Sequence, residues 1–546
     1  MISLALSIFY ATCLVVGTVF WVGEGIDLLE RYWIVSIGVW VGLVLGLRIL
    51  LNKIFKMMDE GRVRKRLKRR LGKKLEEIRG REWFRKFSGK PFLVSFLLMI
   101  ICWVPYIVAF YPAILSPDPS NQIRQFFGIQ NDYYEYVVMI PEGAKITNHH
   151  PVVHTLLLGG AAKLGAIVGD INLGLFLYSL IQVAILAATL AYTIKFLKER
   201  GINEGYLMLM LGVYSFVPVF PLYGMSVVKD TIFGCLVILY GMKLYWLVKS
   251  ETILRKEILT TVAIMIGMIL LRNNGIHVIL LSLPLLLLTK KELGYKAKVL
   301  AMAGGVIVFN VVWNVAVLPY FKVTPGSVRE KLSIPFQQTA RYAKEHGEEV
   351  TGEEREVIDK ILGYETLAER YKPEISDPVK NGFNKNATKE DLKKYFRVWV
   401  EEGVKHPKTY AEATIENTYG YFYPLKTRWY IYYVFDERLN ESGLSYHYID
   451  SFEGAREALA SYGVAFPYIP VVGWLVNIGV NVWMLVFMVG YLLYRGKRRE
   501  VIYLVPSLVL VLVCVASPVN CYFRYALPFV FALMVNFGLF LRESKR

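Results

Sequence analysis

The sequence predicts an all-α polytopic membrane protein with about twelve transmembrane helices and a helical extracytoplasmic region. Of its 546 residues, 55% are hydrophobic, and the mean hydropathy of +0.39 exceeds that expected for a soluble domain of this length. The apolar residues form separate runs, many of which reach the roughly 17–25 residues that cross a bilayer. Lys and Arg gather in the short loops between these runs, as the positive-inside rule requires.

The chain begins with two apolar runs and a basic loop. Residues 2–22 have no basic region ahead of them and no clear cleavage site, so we interpret them as a retained span rather than a signal peptide. Residues 32–52 form the second span. The loop 53–90 contains the run Arg64-Lys65-Arg66-Leu67-Lys68-Arg69-Arg70, which places it in the cytoplasm. A basic amphipathic helix on anionic lipid is a compatible second interpretation.

The later runs alternate across the membrane. The predicted spans are 2–22, 32–52, 92–112, 172–194, 206–222, 226–247, 258–271, 275–289, 299–318, 468–493, 501–517 and 522–541. The short apolar stretch 151–168 is not counted among them. If it crossed, the basic loop 195–200 would lie outside, against the charge rule. We therefore expect 151–168 to lie along the outer surface.

The polar segment 319–467, here called the outer segment, is too long to lack structure of its own. Thr351-Gly352-Glu353-Glu354 predicts a capping box that opens a helix to about Leu362. Residues 391–403 and 409–419 also have helical spacing. Two aromatic clusters, 419–424 and 429–433, suit either a membrane-interface belt or a lid over a site.

Other protein classes are excluded or unsupported. The net charge of +18 is explained by loop topology, so nucleic-acid binding is not expected. The five cysteines form no CxxC or Cys/His cluster. No Walker loop, GxGxxG or GxSxG motif is placed to support other chemistry.

Polar residues from distant parts of the sequence are predicted at the outer ends of the spans. They are Asp118, Asn148, His149, His150, His154, Lys229, Asp230, Arg272, Asn273, Asn274, Asn520 and Arg524. Ionisable groups at membrane depth are energetically unfavourable, so such a set indicates a polar cavity or pathway. Each also has a structural interpretation. Lys229 or Arg272 could extend to a lipid headgroup, and Asp118 could be a helix N-cap with Pro119 at the first helical position. His149 and His150 could be loop residues or metal ligands.

This set is typical of sugar transfer from a lipid carrier. A carboxylate can accept a proton from an attacking hydroxyl. Arginines bind a phosphate through two hydrogen bonds and stabilise it as a leaving group. A site at the edge of the outer leaflet could receive a lipid-linked donor sideways from the bilayer.

The chain resembles the GT-C superfamily of multi-pass membrane glycosyltransferases, and within it an uncharacterised bacterial group. The resemblance covers roughly residues 90–540. It is carried by the following segments: Tyr111-Pro112 to Ser116-Pro117-Asp118, Asn148-His149-His150-Pro151-Val152-Val153-His154-Thr155, Lys229-Asp230, Leu271-Arg272-Asn273-Asn274-Gly275, Ile334-Pro335-Phe336-Gln337-Gln338, and Asn520-Cys521-Tyr522-Phe523-Arg524-Tyr525-Ala526-Leu527-Pro528.

The resemblance implies a GT-C-like bundle with an acidic catalytic base in the first outer loop, the position of Asp118. It implies that outer-end cations, Arg272 and Arg524 with Lys229, bind the donor phosphate. The side chains expected to line the site are His149, His150, His154, Asp230, Asn273, Asn274, Gln337, Gln338, Asn520 and Tyr522. Many members carry an acidic pair near the span exit, whereas Asp118 is flanked by prolines. A requirement for a divalent metal is therefore left open, with His149 and His150 as substitute ligands.

The predicted organisation has four parts. Two spans and the basic loop occupy 1–90. A GT-C-like transmembrane core occupies 91–318, with its first outer loop at 113–171. The outer segment occupies 319–467 and the last spans 468–546.

The leading functional hypothesis is an inverting glycosyltransferase in the plasma membrane, with its active site on the extracytoplasmic side. It would move a sugar from a polyprenyl-phosphate-linked donor to an extracytoplasmic acceptor of the cell envelope: a glycan, a lipid or a protein. The alternatives are a lipid-carrier flippase or transporter, which predicts inverted halves with broken helices, and a surface-polysaccharide polymerase or ligase.

Overall fold

The computed structural model describes residues 1–23, 25–61, 87, 89–131, 145–289, 291–427 and 436–545. Two sequence predictions lie outside the described residues. They are the placement of the basic run 64–70 and that of the aromatic cluster 429–433.

Seven helices in the described part of the chain are long and apolar enough to cross a membrane. They are Ile2–Val22, Trp33–Asp59, Pro91–Ala109, Ile171–Glu199, Lys229–Lys249, Leu293–Tyr320 and Phe523–Glu543. The pair Glu204–Phe216 and Val219–Met225, bent by 49°, becomes an eighth if it is counted as one span. The prediction of a helical protein with several membrane-length helices is confirmed, whereas the count of twelve is not.

Four predicted spans are built from shorter helices. Residues 258–271 fall in Arg255–Leu271. Only the later part of 468–493 falls in a helix, Ile478–Tyr494, and the 3₁₀ helix Val472–Leu475 precedes it. Each of the other two predicted spans is divided into two helical pieces. Span 275–289 consists of Gly275–Ser282 and the 3₁₀ helix Leu283–Leu288, and span 501–517 of the 3₁₀ helix Arg498–Leu504 and Val505–Val515. In both spans the second piece has a proline near its start, because proline lacks a backbone donor and disrupts the preceding turn.

The stretch predicted to lie on the outer surface is the helix Val152–Ile167. Its 16 residues extend only about 24 Å, less than the roughly 30 Å of a hydrocarbon core. It packs closely against Ile171–Glu199, where a Cβ on Gly174 would stand only 2.0 Å from the backbone oxygen of Ala161. Glycine is therefore required at this contact, because any larger residue would force the two helices apart.

The outer segment is mostly helical. Its α-helices in the described residues are Ser333–Glu345, Gly352–Leu362, Leu367–Arg370, Asp377–Lys380, Lys389–Lys405, Pro407–Glu416, Arg438–Glu441 and Glu453–Ala465. The capping box at Thr351 is confirmed, and a second one at Thr388 opens Lys389–Lys405. Phe336, Ile358 and Tyr395 are among the fully buried side chains of a separate core between these helices.

Several short backbone pairings connect distant parts of the chain, and two of them position the first outer loop. The strands Ile146–Thr147 and Val323–Thr324 pair in parallel, which joins the first outer loop to the start of the outer segment. An isolated parallel bridge joins Ile114 to Ser226. Both pairings lie a few residues before polar side chains of the candidate site.

Candidate functional site

Six of the predicted polar side chains meet in one cluster, here called the charged network. Its members are Asp118, His150, Lys229, Asp230, Arg272 and Arg524. They come from five separate stretches of the chain, and all of them except His150 lie in the first turn or at the cap of a helix. The structure brings these distant positions together in one place.

Asp118 stands between a guanidinium group and an imidazole. Its Oδ2 accepts a hydrogen bond from Nη2 of Arg524 at 2.6 Å, and its Oδ1 lies 3.5 Å from Nε2 of His150. Nδ1 of His150 accepts a hydrogen bond from Nζ of Lys229 at 2.8 Å, since a lysine can only donate. A neutral His150 therefore carries its proton on Nε2, facing Asp118.

Two arginines hold the second carboxylate. Nη1 of Arg272 lies 2.7 Å from Oδ1 of Asp230, and Nε of Arg524 lies 3.6 Å from Oδ2. Both guanidinium groups also lie over the ring of Tyr525, at 5.6 and 5.9 Å from its centroid. Tyr522 contacts Arg524 in the same way at 5.2 Å. These rings hold the arginines in place without neutralising them.

Asp118 lies in the first turn of the helix Pro117–Phe126, whose N-cap is Ser116. The prediction that Asp118 is itself the N-cap, with Pro119 at the first helical position, is wrong. Pro117 takes that position, because its fixed φ and missing N–H already suit the start of a helix. The carboxylate of Asp118 is therefore available to Arg524 and His150.

The bridge between Ile114 and Ser226 sets the positions of Asp118 and Lys229. Ile114 N–H donates to the Met225 oxygen at 2.9 Å, and Val227 N–H donates to the Ile114 oxygen at 3.2 Å. The helix Lys229–Lys249 begins directly after this pairing, with Asp230 in its first turn. Two segments more than a hundred residues apart thus present their charged residues at the same level.

His149 and His150 follow the paired strands of the first outer loop. A Cβ on Gly326 would lie 3.2 Å from the Asn148 oxygen, so this close approach favours glycine.

The imidazole centroids of His149 and His150 are 4.7 Å apart. Burial, followed by the proximity of His150, lowers the pKa of His149 to about 3. His149 is therefore neutral at ordinary pH.

Three further predicted residues lie beside the charged network. Nδ1 of His154 donates a hydrogen bond to Oε1 of Gln122 at 3.0 Å. Asn273 donates to the Asn148 oxygen at 3.1 Å, which joins the Arg272 turn to the histidine loop. Asn274 is exposed and forms the N-cap of Gly275–Ser282 without a side-chain capping bond.

Three predicted site residues instead make structural contacts. Gln337 donates to the Lys372 oxygen at 2.6 Å, and Gln338 to the Tyr410 oxygen at 3.2 Å. Asn520 accepts from Gly420 N–H and donates to the Glu416 oxygen. In each residue the side-chain amide bonds to the backbone of the outer segment, and these hydrogen bonds do not involve the charged network.

Sequence reasoning missed several groups at the site. Gln122, four residues after Asp118, bonds both His154 and Thr155 and could have been found from helical spacing. Tyr525 follows Arg524 directly. Glu330 acts electrostatically on His149 across the strand pair, and no local sequence signal connects them.

The charged network contains one positive charge more than its carboxylates neutralise. Lys229, Arg272 and Arg524 contribute three cations, and the two aspartates contribute two anions. His150 does not add to the excess. Burial, followed by Lys229, lowers its pKa despite the opposing effect of Asp118. The arrangement is therefore suited to an anionic ligand.

Asp118 is the more accessible of the two carboxylates. Its side chain is 26% exposed, compared with 2% for Asp230. Burial alone would raise the pKa of Asp118, but Arg524 and then His150 outweigh it and hold the pKa well below its usual value. Asp118 is thus ionised, and a group approaching from outside can reach it.

His149 and His150 were expected as substitute ligands if the site holds a metal. Across the described residues, neither belongs to a group of three His, Cys, Asp or Glu ligand atoms that converge.

The fold and the site define a helical protein with membrane-length apolar helices and a buried charged network where several helices end. The chain belongs to DUF6020, a family of unknown function whose model matches residues 1–546. No curated protein matches the chain, and no solved structure matches it.

Proposed function

We propose that the protein is a GT-C-type glycosyltransferase of the plasma membrane. It transfers a sugar from a polyprenyl-phosphate-linked donor to an extracytoplasmic acceptor, with inversion at the anomeric carbon. The observation that carries this proposal is the charged network. A partly exposed carboxylate, Asp118, is paired with a buried arginine in a cluster with one excess positive charge. Membrane lipids surround the bundle, and the charge rule places the network at the outer face.

The donor phosphate fits the cationic side of the network. Arginine presents paired donors that match a phosphate, and such charge-assisted bonds are strong where water is excluded. Arg524 and Arg272 are the binding groups in this proposal, and Lys229 adds a third cation. The polyprenyl tail would lie against the lipid-facing helices.

Phosphate binding would also prepare Asp118 for its role. In the structure Arg524 neutralises Asp118, so the carboxylate is a weak base. A phosphate that draws Arg524 away removes this stabilisation and raises the pKa of Asp118. The base is then activated only when the donor is present.

The chemical step uses a base for the acceptor hydroxyl and cations for the leaving phosphate. Asp118 takes the proton of an acceptor hydroxyl, and the oxygen attacks the anomeric carbon of the donor sugar. The bond between that carbon and the phosphate oxygen breaks, and the phosphate leaves with the electron pair, stabilised by Arg272 and Arg524. The products are a glycosidic bond and a polyprenyl phosphate or diphosphate.

The transporter alternative has one supporting observation. The pair Glu204–Phe216 and Val219–Met225 is a broken helix, bent by 49°. An inverted repeat requires a matching break in the other half. Within the described ranges, no second pair of consecutive apolar helices is bent by more than 40° at a short break. The transferase therefore has stronger support than the transporter. The polymerase alternative is tested separately by the size of the product, which is one added sugar for single transfer and many for polymerisation.

The test is glycosyl transfer in membranes that contain the full-length chain and labelled polyprenyl-linked sugars extracted from the host. Asp118→Asn keeps the side-chain shape and removes the base, so we expect transfer to fall by about 10²–10⁴-fold. The matched control is Asp450→Asn, at an exposed aspartate of the outer segment. Full transfer by a folded Asp118→Asn protein would exclude the base assignment. Uptake into sealed vesicles without a glycosidic product would favour the transporter.

A further inference from the structure

A second cluster of chemically active side chains lies in the outer segment and shares no residue with the charged network. It consists of His346, Glu349 and His406, whose ligand atoms all lie within 4.8 Å of one another. Nδ1 of His346 is 3.3 Å from Oε1 of Glu349, and Nε2 of His406 is 2.8 Å from Oε2. Ligands of a tetrahedral Zn²⁺ stand about 3.3 Å apart, given metal–ligand bonds of about 2.0–2.1 Å.

Helix ends position all three side chains. His346 is the C-cap of Ser333–Glu345, and Glu349 is the last residue of the 3₁₀ helix Gly347–Glu349. His406 connects Lys389–Lys405 to Pro407–Glu416. The two imidazoles stack with centroids 3.6 Å apart, and the ring of Tyr342 contacts both. The three rings therefore pack together beside the ligand atoms.

A hydrogen-bond relay assigns the tautomer of His346. Its Nε2 lies 3.0 Å from Oγ1 of Thr409, and that hydroxyl donates to Oε2 of Glu345 at 3.1 Å. Because the hydroxyl proton is directed to Glu345, Thr409 accepts the proton of His346 Nε2. Metal-binding histidines are oriented by such an outer hydrogen bond on the second ring nitrogen.

The relay leaves a lone pair on Nδ1 of His346, facing a carboxylate oxygen. Two such atoms repel one another at 3.3 Å unless a cation lies between them. That cation is either a proton, which makes His346 an imidazolium, or a metal ion. Two imidazole nitrogens and a carboxylate oxygen form a ligand set that suits Zn²⁺ and its analogue Co²⁺.

We propose that His346, Glu349 and His406 bind a divalent transition metal, for which Zn²⁺ is the best fit. The side chains of His346 and His406 are 22% and 26% exposed, so an ion can enter and a water molecule can take the fourth position. The metal would link the ends of four helices of the outer segment, because His406 lies between two of them.

The test uses the full-length protein in detergent, with any polyhistidine tag removed, stripped with EDTA and titrated with Co²⁺ or Zn²⁺ alone. We expect one metal ion per chain and a Co²⁺ absorption spectrum of a nitrogen- and oxygen-ligated site. Thr409→Val keeps all three ligands but removes the relay. It should weaken binding by about 10–100-fold, while the ligand variant His406→Gln should abolish it.

Two matched controls should bind as the wild type does. Glu348→Gln changes the neighbouring exposed glutamate, and His277→Gln changes a histidine of another helix. Folding of each variant is checked by its unfolding midpoint without metal. The proposal is overturned if the wild type binds neither metal at one equivalent, or if His406→Gln binds the metal as tightly as the wild type. In either case the cation between His346 and Glu349 is a proton.

Discussion

Asp118 and Arg524 are the two residues whose pairing connects the structure to the proposed chemistry. The pair is made between a partly exposed carboxylate and a buried guanidinium that lies over the rings of Tyr522 and Tyr525. An arginine held in this way can exchange one anion for another without moving far. The pair is therefore expected to open when a phosphate arrives.

Substitution of Arg524 tests this exchange through ligand binding. Farnesyl phosphate is a short polyprenyl phosphate, and farnesol is the matched ligand without the charge. We expect Arg524→Gln to weaken binding of farnesyl phosphate at least tenfold, about 1.4 kcal/mol, because a paired donor is lost. Binding of farnesol should not change, and titration calorimetry in detergent measures both. An unchanged affinity for farnesyl phosphate would remove Arg524 from the phosphate site.

Glu402 predicts a pH dependence of stability in the outer segment. Burial raises the pKa of this carboxyl to about 8, against the opposing hydrogen bond from Tyr410. Because the folded pKa lies above the unfolded value, the unfolded state releases its proton first, and stability falls as the pH rises from about 4.5 to 8. Glu402→Gln has no ionisable carboxyl at this position, so it should not lose stability in this way as the pH rises. We expect its unfolding midpoint to exceed that of the wild type at pH 8 and the difference to shrink at pH 5, as followed by tryptophan fluorescence. A difference that does not depend on pH would contradict the shift.

The hairpin of Val152–Ile167 and Ile171–Glu199 shows how an element positions the site. Its crossing depends on Gly174, and the helix Val152–Ile167 carries His154 beside the charged network. Small residues at helix contacts allow this close approach in membrane bundles.

Gly174→Ala should therefore destabilise the protein by about 1–3 kcal/mol through overpacking. The matched control is Gly160→Ala on the neighbouring helix, where a Cβ would meet no atom within 4 Å. It should be neutral or slightly stabilising, because alanine favours helix. Thermal unfolding in one detergent compares the two variants. Equal midpoints would show that the contact tolerates a side chain.

Local signals in the sequence predicted individual elements well. The Thr351 capping box and the helix to Leu362 are confirmed, because both are decided within a few residues. The start of the Asp118 helix was placed two residues too late, since three prolines offer competing starting points. The amides of Gln337 and Gln338 bond to backbone more than thirty residues away, which no local pattern reveals.

At the scale of the whole molecule, the charge of the loops made the grouping of the site predictable. Placing every basic loop on one side leaves Asp118, Lys229, Arg272 and Arg524 on the other. The pairwise contacts could not be predicted, because they depend on the strand pair at Thr147 and on the bridge at Ile114. The number of membrane-length helices could not be predicted from the sequence either, since hydropathy does not show where a helix is broken.

The predicted sidedness is itself testable by cysteine labelling in spheroplasts. Asp450→Cys lies on an exposed turn of the outer segment and Thr252→Cys on an exposed turn of a predicted inner loop. A membrane-impermeant maleimide should label Asp450→Cys in intact spheroplasts and Thr252→Cys only after lysis. The native protein is the blank, because its five cysteines are buried or partly buried. The reverse pattern would place the charged network on the cytoplasmic side.

The most direct test of the central claim is an experimental structure of the protein with a polyprenyl phosphate bound. We expect a phosphate within hydrogen-bond distance of Arg524 or Arg272, an opened pair between Arg524 and Asp118, and the Asp118 carboxylate facing the ligand. A phosphate bound away from both arginines, with the Asp118 pair intact, would contradict it.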